Sequence, residues 1–246
     1  MYSHAAAHAS YSQAVPFHIA AAKVSTLKDL FKGQPAESFN PGEALFWEGD
    51  KAGPIFEILE GVVRVYRILP DGRRAILGFV YPGDVLGVSI QDRYLLTAEA
   101  VNKIKVRRFA RERFFASIHD SPSLQPQLFA MLCDEMSSAQ DQMLLLGRQT
   151  AEERVVCFLL AVQRKSARGA EIELPMSRQD MADYLGLTME TVSRMMTSLA
   201  RRGLVAPGSR HTVTLRKLAA LKEIAGRGED EPEAPVSRGR RAIWPN

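Results

Sequence analysis

The chain has 246 residues, 46% of them hydrophobic, and a formal net charge of +4, enough for one large or two modest domains with a true core. A charge this mild suits nucleic-acid binding without establishing it, and no apolar run approaches the roughly 18 residues of a membrane span. The two cysteines, Cys133 and Cys157, are too few and too far apart for a zinc or iron–sulfur cluster, and they point to a reducing cytoplasm with no disulfide framework.

Residues 1–24 are rich in Ala, Ser and His, hold no sustained pattern, and read as a flexible arm. The arm lacks a basic start followed by an apolar block, so it does not read as a secretory signal. His4 and His8 are four apart and could share a metal on a helix, but a chance pair in a tail is the better reading. Neither a metal nor a cofactor is expected.

Residues 25–120 read as a β-roll. Turn signals recur at Asn40-Pro41-Gly42-Glu43, Gly49-Asp50, Gly61, Asp71-Gly72 and Pro82-Gly83-Asp84, the spacing of about 8–12 residues that marks an all-β sandwich or barrel. Between them lie short apolar runs at Ala44–Trp47, Ile55–Leu59, Val62–Leu69 and Ala75–Val80, and further strands fit Thr97–Val101 and Lys105–Phe109. Asp71-Gly72 suits a hairpin turn. The basic residues from Lys103 to Arg113 alternate with Ile104, Val106 and Phe109, which suits the solvated face of a strand better than a nucleic-acid patch. A metal-dependent enzyme on such a roll needs several histidines on neighbouring strands, and Phe39–Phe109 contains none. The chain is therefore not expected to be an enzyme.

Residues 121–147 read as a dimerisation helix. Phe129, Leu132, Met136, Ala139, Met143 and Leu146 are spaced 3, 4, 3, 4 and 3, an a/d heptad seam. The alternative is a helix that covers its own domain. Gly147 breaks the seam, and a second helix, Ala151–Lys165, opens the next unit. Cys133 neighbours the seam; Cys157 reads as core.

Residues 148–225 read as a winged helix-turn-helix. Ser177 and Asp180 suit the start of a helix over Arg178–Leu185. Gly186 supplies a turn, Leu187 plugs the gap, and Thr188 caps a second helix, Met189–Arg202, that Gly203 ends. Val192, Met195, Met196 and Leu199 share one side of it; Glu190, Ser193, Arg194, Thr197 and Arg201 share the other. An arginine can donate twice to guanine and a carboxylate can accept from cytosine. Glu190, Ser193 and Arg194 are accordingly the expected base contacts, with Glu190 able to hold Arg194 in place. The other reading is a solvated face with an ordinary ion pair. Leu204–Gly208, Ser209–His211 and Thr212–Leu215 then read as strand, turn and strand, a wing. Arg210 and His211 at its tip suit either a phosphate or plain loop solubility. Arg178, Thr197, Arg201 and Arg210 are expected on the DNA backbone. Residues 226–246 are Pro-, Gly- and charge-rich and read as a disordered tail.

Roll, long helix and winged helix-turn-helix, in that order, form an α+β chain that resembles the CRP/FNR family of bacterial transcription regulators over roughly Leu27 to Lys222. The resemblance rests on Leu59-Glu60-Gly61-Val62-Val63-Arg64-Val65, Pro82-Gly83-Asp84-Val85-Leu86-Gly87 and, most specifically, Glu190-Thr191-Val192-Ser193-Arg194. Ser193 is the FNR-type choice and implies a TTGAT-type half-site. Met176–Thr188 is most similar to the FixK subgroup, which implies an activator of microaerobic and nitrogen-fixation genes. The resemblance also implies phosphate contacts from Gln179, Thr188 and Thr191, and as partners palindromic double-stranded DNA, RNA polymerase and a second copy of the chain, with no membrane. Cyclic-nucleotide-binding relatives place a glutamate and an arginine where this chain has Val88 and Leu96. Arg93 would need a register shift to replace the arginine. A buried phosphate without its cation is costly, so the expected regulator needs no effector; the alternative is an unidentified small molecule in the roll.

Overall fold

The computed structural model describes residues 25–89, 91–165, 169–208 and 211–226. The expected arm with His4 and His8, the expected tail beyond Gly226, and Arg210 lie outside the described residues. The architecture is α+β.

A short 3-10 helix, Leu27–Phe31, opens the described chain, with Thr26 and Asp29 forming a capping box. Eight strands follow: β1 (Ala36–Phe39), β2 (Ala44–Phe46), β3 (Ile55–Glu60), β4 (Val63–Ile68), β5 (Arg74–Val80), β6 (Val85–Leu86), β7 (Thr97–Ala100) and β8 (Ile104–Phe109). They form two antiparallel sheets, ordered β1-β8-β3-β6 and β2-β7-β4-β5. Alternation along the strands puts Val63, Val65, Ile58, Val106, Ala98 and Ala100 into one core. Arg64 points the other way, directly opposite Glu99 in the β4–β7 register. The basic residues of β8 pair with acids on adjoining strands: Lys105 with Glu60, Arg107 with Glu57 and Arg108 with Glu37. Within β8 the run is thus a paired strand face, whereas Arg111 and Arg113 lie on the helix that follows.

Helix α1 (Arg111–His119) closes one end of the roll by burying Phe114 and Ile118 with Phe31, Ile55 and Phe109. The long α2 (Gln125–Arg148) anchors its first turns there through Leu128 and Met131, and its last through Leu145 against the C-terminal core. From Leu132 to Asp141 every residue is exposed. Gly147 follows the last seam residue and lies inside the last turn of α2, whose C-cap is Gln149 with extended backbone.

The C-terminal unit comprises α3 (Ala151–Lys165), β9 (Glu171–Glu173), α4 (Arg178–Leu185), α5 (Met189–Arg201), β10 (Val205–Pro207), β11 (Thr212–Leu215) and α6 (Leu218–Ile224). Its strands order β10-β11-β9, so the wing hairpin gains a third strand from the segment before α4. Cys157 belongs to this core, and Cys133 is exposed on α2. Among the described residues no helix is long and apolar enough to cross a membrane.

Candidate nucleic-acid interface

The helix-turn-helix is built by local chemistry at each joint. Ser177 Oγ accepts from the Asp180 backbone N–H at 3.0 Å, and Asp180 Oδ2 accepts from the Ser177 N–H at 3.0 Å. This capping box satisfies orphan donors of the first turn. At the other end Gly186 adopts φ 62°, ψ 38°, a left-handed conformation that ends α4 and that glycine takes at least cost. Leu187 then donates its N–H to Ala182 O and packs against the core. Thr188 caps α5 by accepting from the Thr191 N–H at 3.2 Å.

Along α5, Val192, Met196 and Leu199 are buried and Met195 packs beside them. Glu190, Ser193, Arg194, Thr197 and Arg201 are all exposed on the opposite face. A shallow open depression of about 440 Å³ runs along this face, lined by Ser193, Arg194, Met195, Thr197, Ser198 and Arg201. The face therefore carries an acid, hydroxyls and two arginines without apolar cover. Arg202 pairs with Glu152 on α3, which ties the end of α5 to the unit beneath.

Several side chains of this surface have partners within the protein. Among the described residues Glu190 and Arg194 form no bond; Arg194 reaches Thr191 Oγ1 at 3.5 Å instead. A glutamate in the first turn of a helix sits near the positive end of the dipole, so it does not need the arginine. The hydroxyls of Thr188 and Thr191 lie 3.0 Å apart, and Thr197 donates to Ser193 O at 2.9 Å. Arg178 is half-buried, with Nη1 3.1 Å from Met181 Sδ, and burial draws its pKa down. Gln179 is exposed and donates to Asp183 Oδ1 at 2.6 Å. His211 is exposed at the end of the wing.

The positions that matter for an effector are built into the protein's own packing. Val88 packs with the apolar cluster beneath the roll, and Leu96 with the roll core. Thr97 Oγ1 accepts from the Glu48 N–H at 3.0 Å, and Arg93 Nη1 donates to Gly49 O at 2.5 Å. Phe46 stacks on Tyr94 with centroids 3.8 Å apart, while Tyr94 Oη donates to Pro54 O at 2.8 Å. On the opposite side of the sheet, Tyr66 Oη donates to Glu99 Oε2 at 2.8 Å. Burial, and then the Glu99 contact, push that phenol up to about 12. Phe79 of β5, Phe158 of α3 and Tyr184 of α4 make a three-ring cluster with centroids 5.6–6.0 Å apart, which packs the roll against the helix-turn-helix.

Known proteins share both halves. The cyclic nucleotide-binding domain family matches residues 36–121, and the Crp-like helix-turn-helix domain family matches residues 153–224. The nitrogen fixation regulation protein FixK of Bradyrhizobium diazoefficiens is 45% identical over 172 residues, covering 68% of this chain and 73% of that protein. The transcriptional activatory protein AadR of Rhodopseudomonas palustris is 44% identical over 171 residues, covering 68% and 72%. Among solved structures, FixK2 from Bradyrhizobium japonicum aligns with a TM-score of 0.75 at 37% identity, covering 78% of this chain and 96% of that one. With a roll of the cyclic-nucleotide-binding type joined to a DNA-binding helix-turn-helix of the Crp type, and with FixK proteins among its relatives, the chain belongs to the CRP/FNR family of transcription regulators, not to the enzymes.

Proposed function

We propose that the protein is a homodimeric activator that reads a palindrome of TTGAT-type half-sites through Glu190, Ser193 and Arg194, without a small-molecule effector. Its units are the roll (25–120), the dimerisation helix (121–147) and the winged helix-turn-helix (148–225). The observation that carries the reading is the uncovered polar face of α5, seated on a firmly packed helix-turn-helix. Thr188, Thr191, Thr197, Arg201, Gln179, Arg178 and Arg210 serve the sugar–phosphate backbone, which sets register and not sequence. The seam supports dimerisation: Phe129, Met136 and Met143 are 70%, 59% and 65% exposed, with Leu132, Ala139 and Leu146 also open. A single chain would not leave so long an apolar line to water. RNA polymerase is the further partner of an activator. The relatives named for nitrogen fixation point to microaerobic and nitrogen-fixation genes as the targets.

Effector independence is supported by Val88 and Leu96, which are apolar and packed where a ribose and a cyclic phosphate would need a carboxylate and a cation. A second reading, gating by an unidentified small molecule, has one observation in its favour. A crevice of about 240 Å³ lies between roll and helix-turn-helix, with Tyr81, Asn102, Lys165 and Glu173 on its walls. Titrating purified, ligand-free protein against a labelled duplex with two TTGAT halves, and against a scrambled duplex, separates the two. Tight, selective binding is expected; binding that appears only after a cell extract is added would favour gating.

A further inference from the structure

Helix α4 is held at both of its ends by parts of the chain far from it in sequence. At its first turn, Asp180 uses Oδ2 for the capping box and Oδ1 for two arginines of the roll: Arg64 Nη1 at 3.1 Å and Arg74 Nη2 at 2.5 Å. Arg74 Nε also donates to Asp183 Oδ2 at 2.9 Å, and Arg64 pairs with Glu99. The Arg74 guanidinium lies 5.5 Å over the Tyr66 ring. The Asp180 side chain is 4% exposed, so the arginines are its source of neutralisation. The Arg64 Nε has no hydrogen-bond partner among the described residues, a desolvation cost that the junction carries.

At its last turn, α4 leaves backbone carbonyls that no helical N–H can satisfy. Arg154 of α3 donates to Leu185 O at 3.1 Å, and with its other nitrogens to Leu146 O at 2.9 Å and Gln149 O at 3.0 Å. Gln142 of α2 donates to Tyr184 O at 2.8 Å. The same side chains thus join the end of α4 to the end of α2, the helix that carries the seam.

We propose that this double clamp sets the angle of α5 against the dimer axis in the absence of any ligand, with Arg74 and Asp183 as positioning residues for two-fold DNA binding. The inference rests on the homodimeric reading above. One attachment would leave α4 free to swivel; two attachments, one centred on Asp180 and one on the carbonyls of Tyr184 and Leu185 about 7 Å further along the helix, do not. Two recognition helices must enter major grooves about 34 Å apart. Their angle against the axis therefore governs binding of a full palindrome and leaves binding of one half-site alone. In a family whose roll has the form of an effector domain, the clamp would do the ordering that an effector otherwise does.

The test compares the full-length protein with Arg74→Ala, with Asp183→Asn, which keeps an oxygen to accept from Gln179, and with the double variant, on a full palindrome, on a single half-site duplex, and on palindromes whose halves are moved apart by a base pair. Each single variant should weaken full-site binding by about tenfold while half-site binding stays within about twofold. The double variant should be no weaker than the weaker single one, and the preference for half-site spacing should broaden. If Arg74→Ala does not fold, Arg74→Lys, which keeps the charge but loses the fork, should show the same split at smaller size. Equal losses on full and half sites would assign the residues to stability alone and overturn the proposal, as would unchanged full-site binding. Wild-type protein that bound neither duplex would instead overturn the function reading on which the clamp depends.

Discussion

Under the proposed function, single residues on the face of α5 divide into groups that would read bases and groups that would hold backbone. Ser193 is exposed, but its carbonyl accepts from Thr197, so Ser193→Gly removes the hydroxyl and β-carbon without freeing a buried group. Discrimination at the first distinguishing base of each half-site should fall while the guanine preference persists, as a competition assay with singly substituted duplexes would show. Retained discrimination at that base would assign it to another side chain. Arg201, if it touches only phosphate, behaves differently: Arg201→Ala should weaken all sequences alike and flatten the salt dependence. Much of this face was legible in the sequence, because a 3.6-residue period places Glu190, Ser193, Arg194, Thr197 and Arg201 together whatever lies beneath. The partner of Arg194 was not legible. Spacing allows both Glu190 and Thr191, and only rotamers and local packing choose Thr191.

Among the elements, three helices matter most: α4, α5 and α2. α4 and α5 run as their caps dictate: Ser177, Gly186 and Thr188 each act at the position where the sequence puts a cap or a stop. Gly186→Ala should cost about 1–2 kcal/mol, since φ is positive there and a β-carbon would sit 3.2 Å from Leu146 Cδ2. A melting curve would register it as a lower Tm. On α2, Met136→Asp or Met143→Asp places an unpaired charge in the proposed interface. Sedimentation should then show a monomer, and binding to the full palindrome should collapse. A wild-type protein that is monomeric on its full site would contradict the seam. Elements with weak local signals escaped the sequence: β1 and β9 carry few β-branched residues, β6 is two residues long, and each exists because a longer neighbour supplies its hydrogen bonds.

At the scale of the whole molecule, the roll and the helix-turn-helix meet through an aromatic cluster and the arginine–aspartate lattice. None of this was readable beforehand, because Arg64 and Asp180 are 116 residues apart and Arg74 and Asp183 are 109 apart. Charged residues at such separation carry no pattern in one sequence. The order of parts, by contrast, was legible from turn rhythm, seam and caps. The absence of a cation and a carboxylate at Leu96 and Val88 makes a further expectation. Cyclic AMP at a hundred times any plausible dissociation constant would stabilise a binding protein by about 2.7 kcal/mol; here neither Tm nor DNA affinity should move. A clear rise in Tm would place a nucleotide site in the roll.

The proposed function requires α5 to read bases through Arg194 in a ligand-free dimer. Binding-site selection from random duplexes, run in parallel on wild type and Arg194→Ala, tests it most directly. Wild-type protein should enrich two-fold sites with TTGAT-type halves about one helical turn apart. Arg194→Ala should lose the guanine preference at one position of each half, at a cost of about 1–3 kcal/mol. An Arg194→Ala protein that kept the full wild-type preference would show that α5 does not read bases through Arg194.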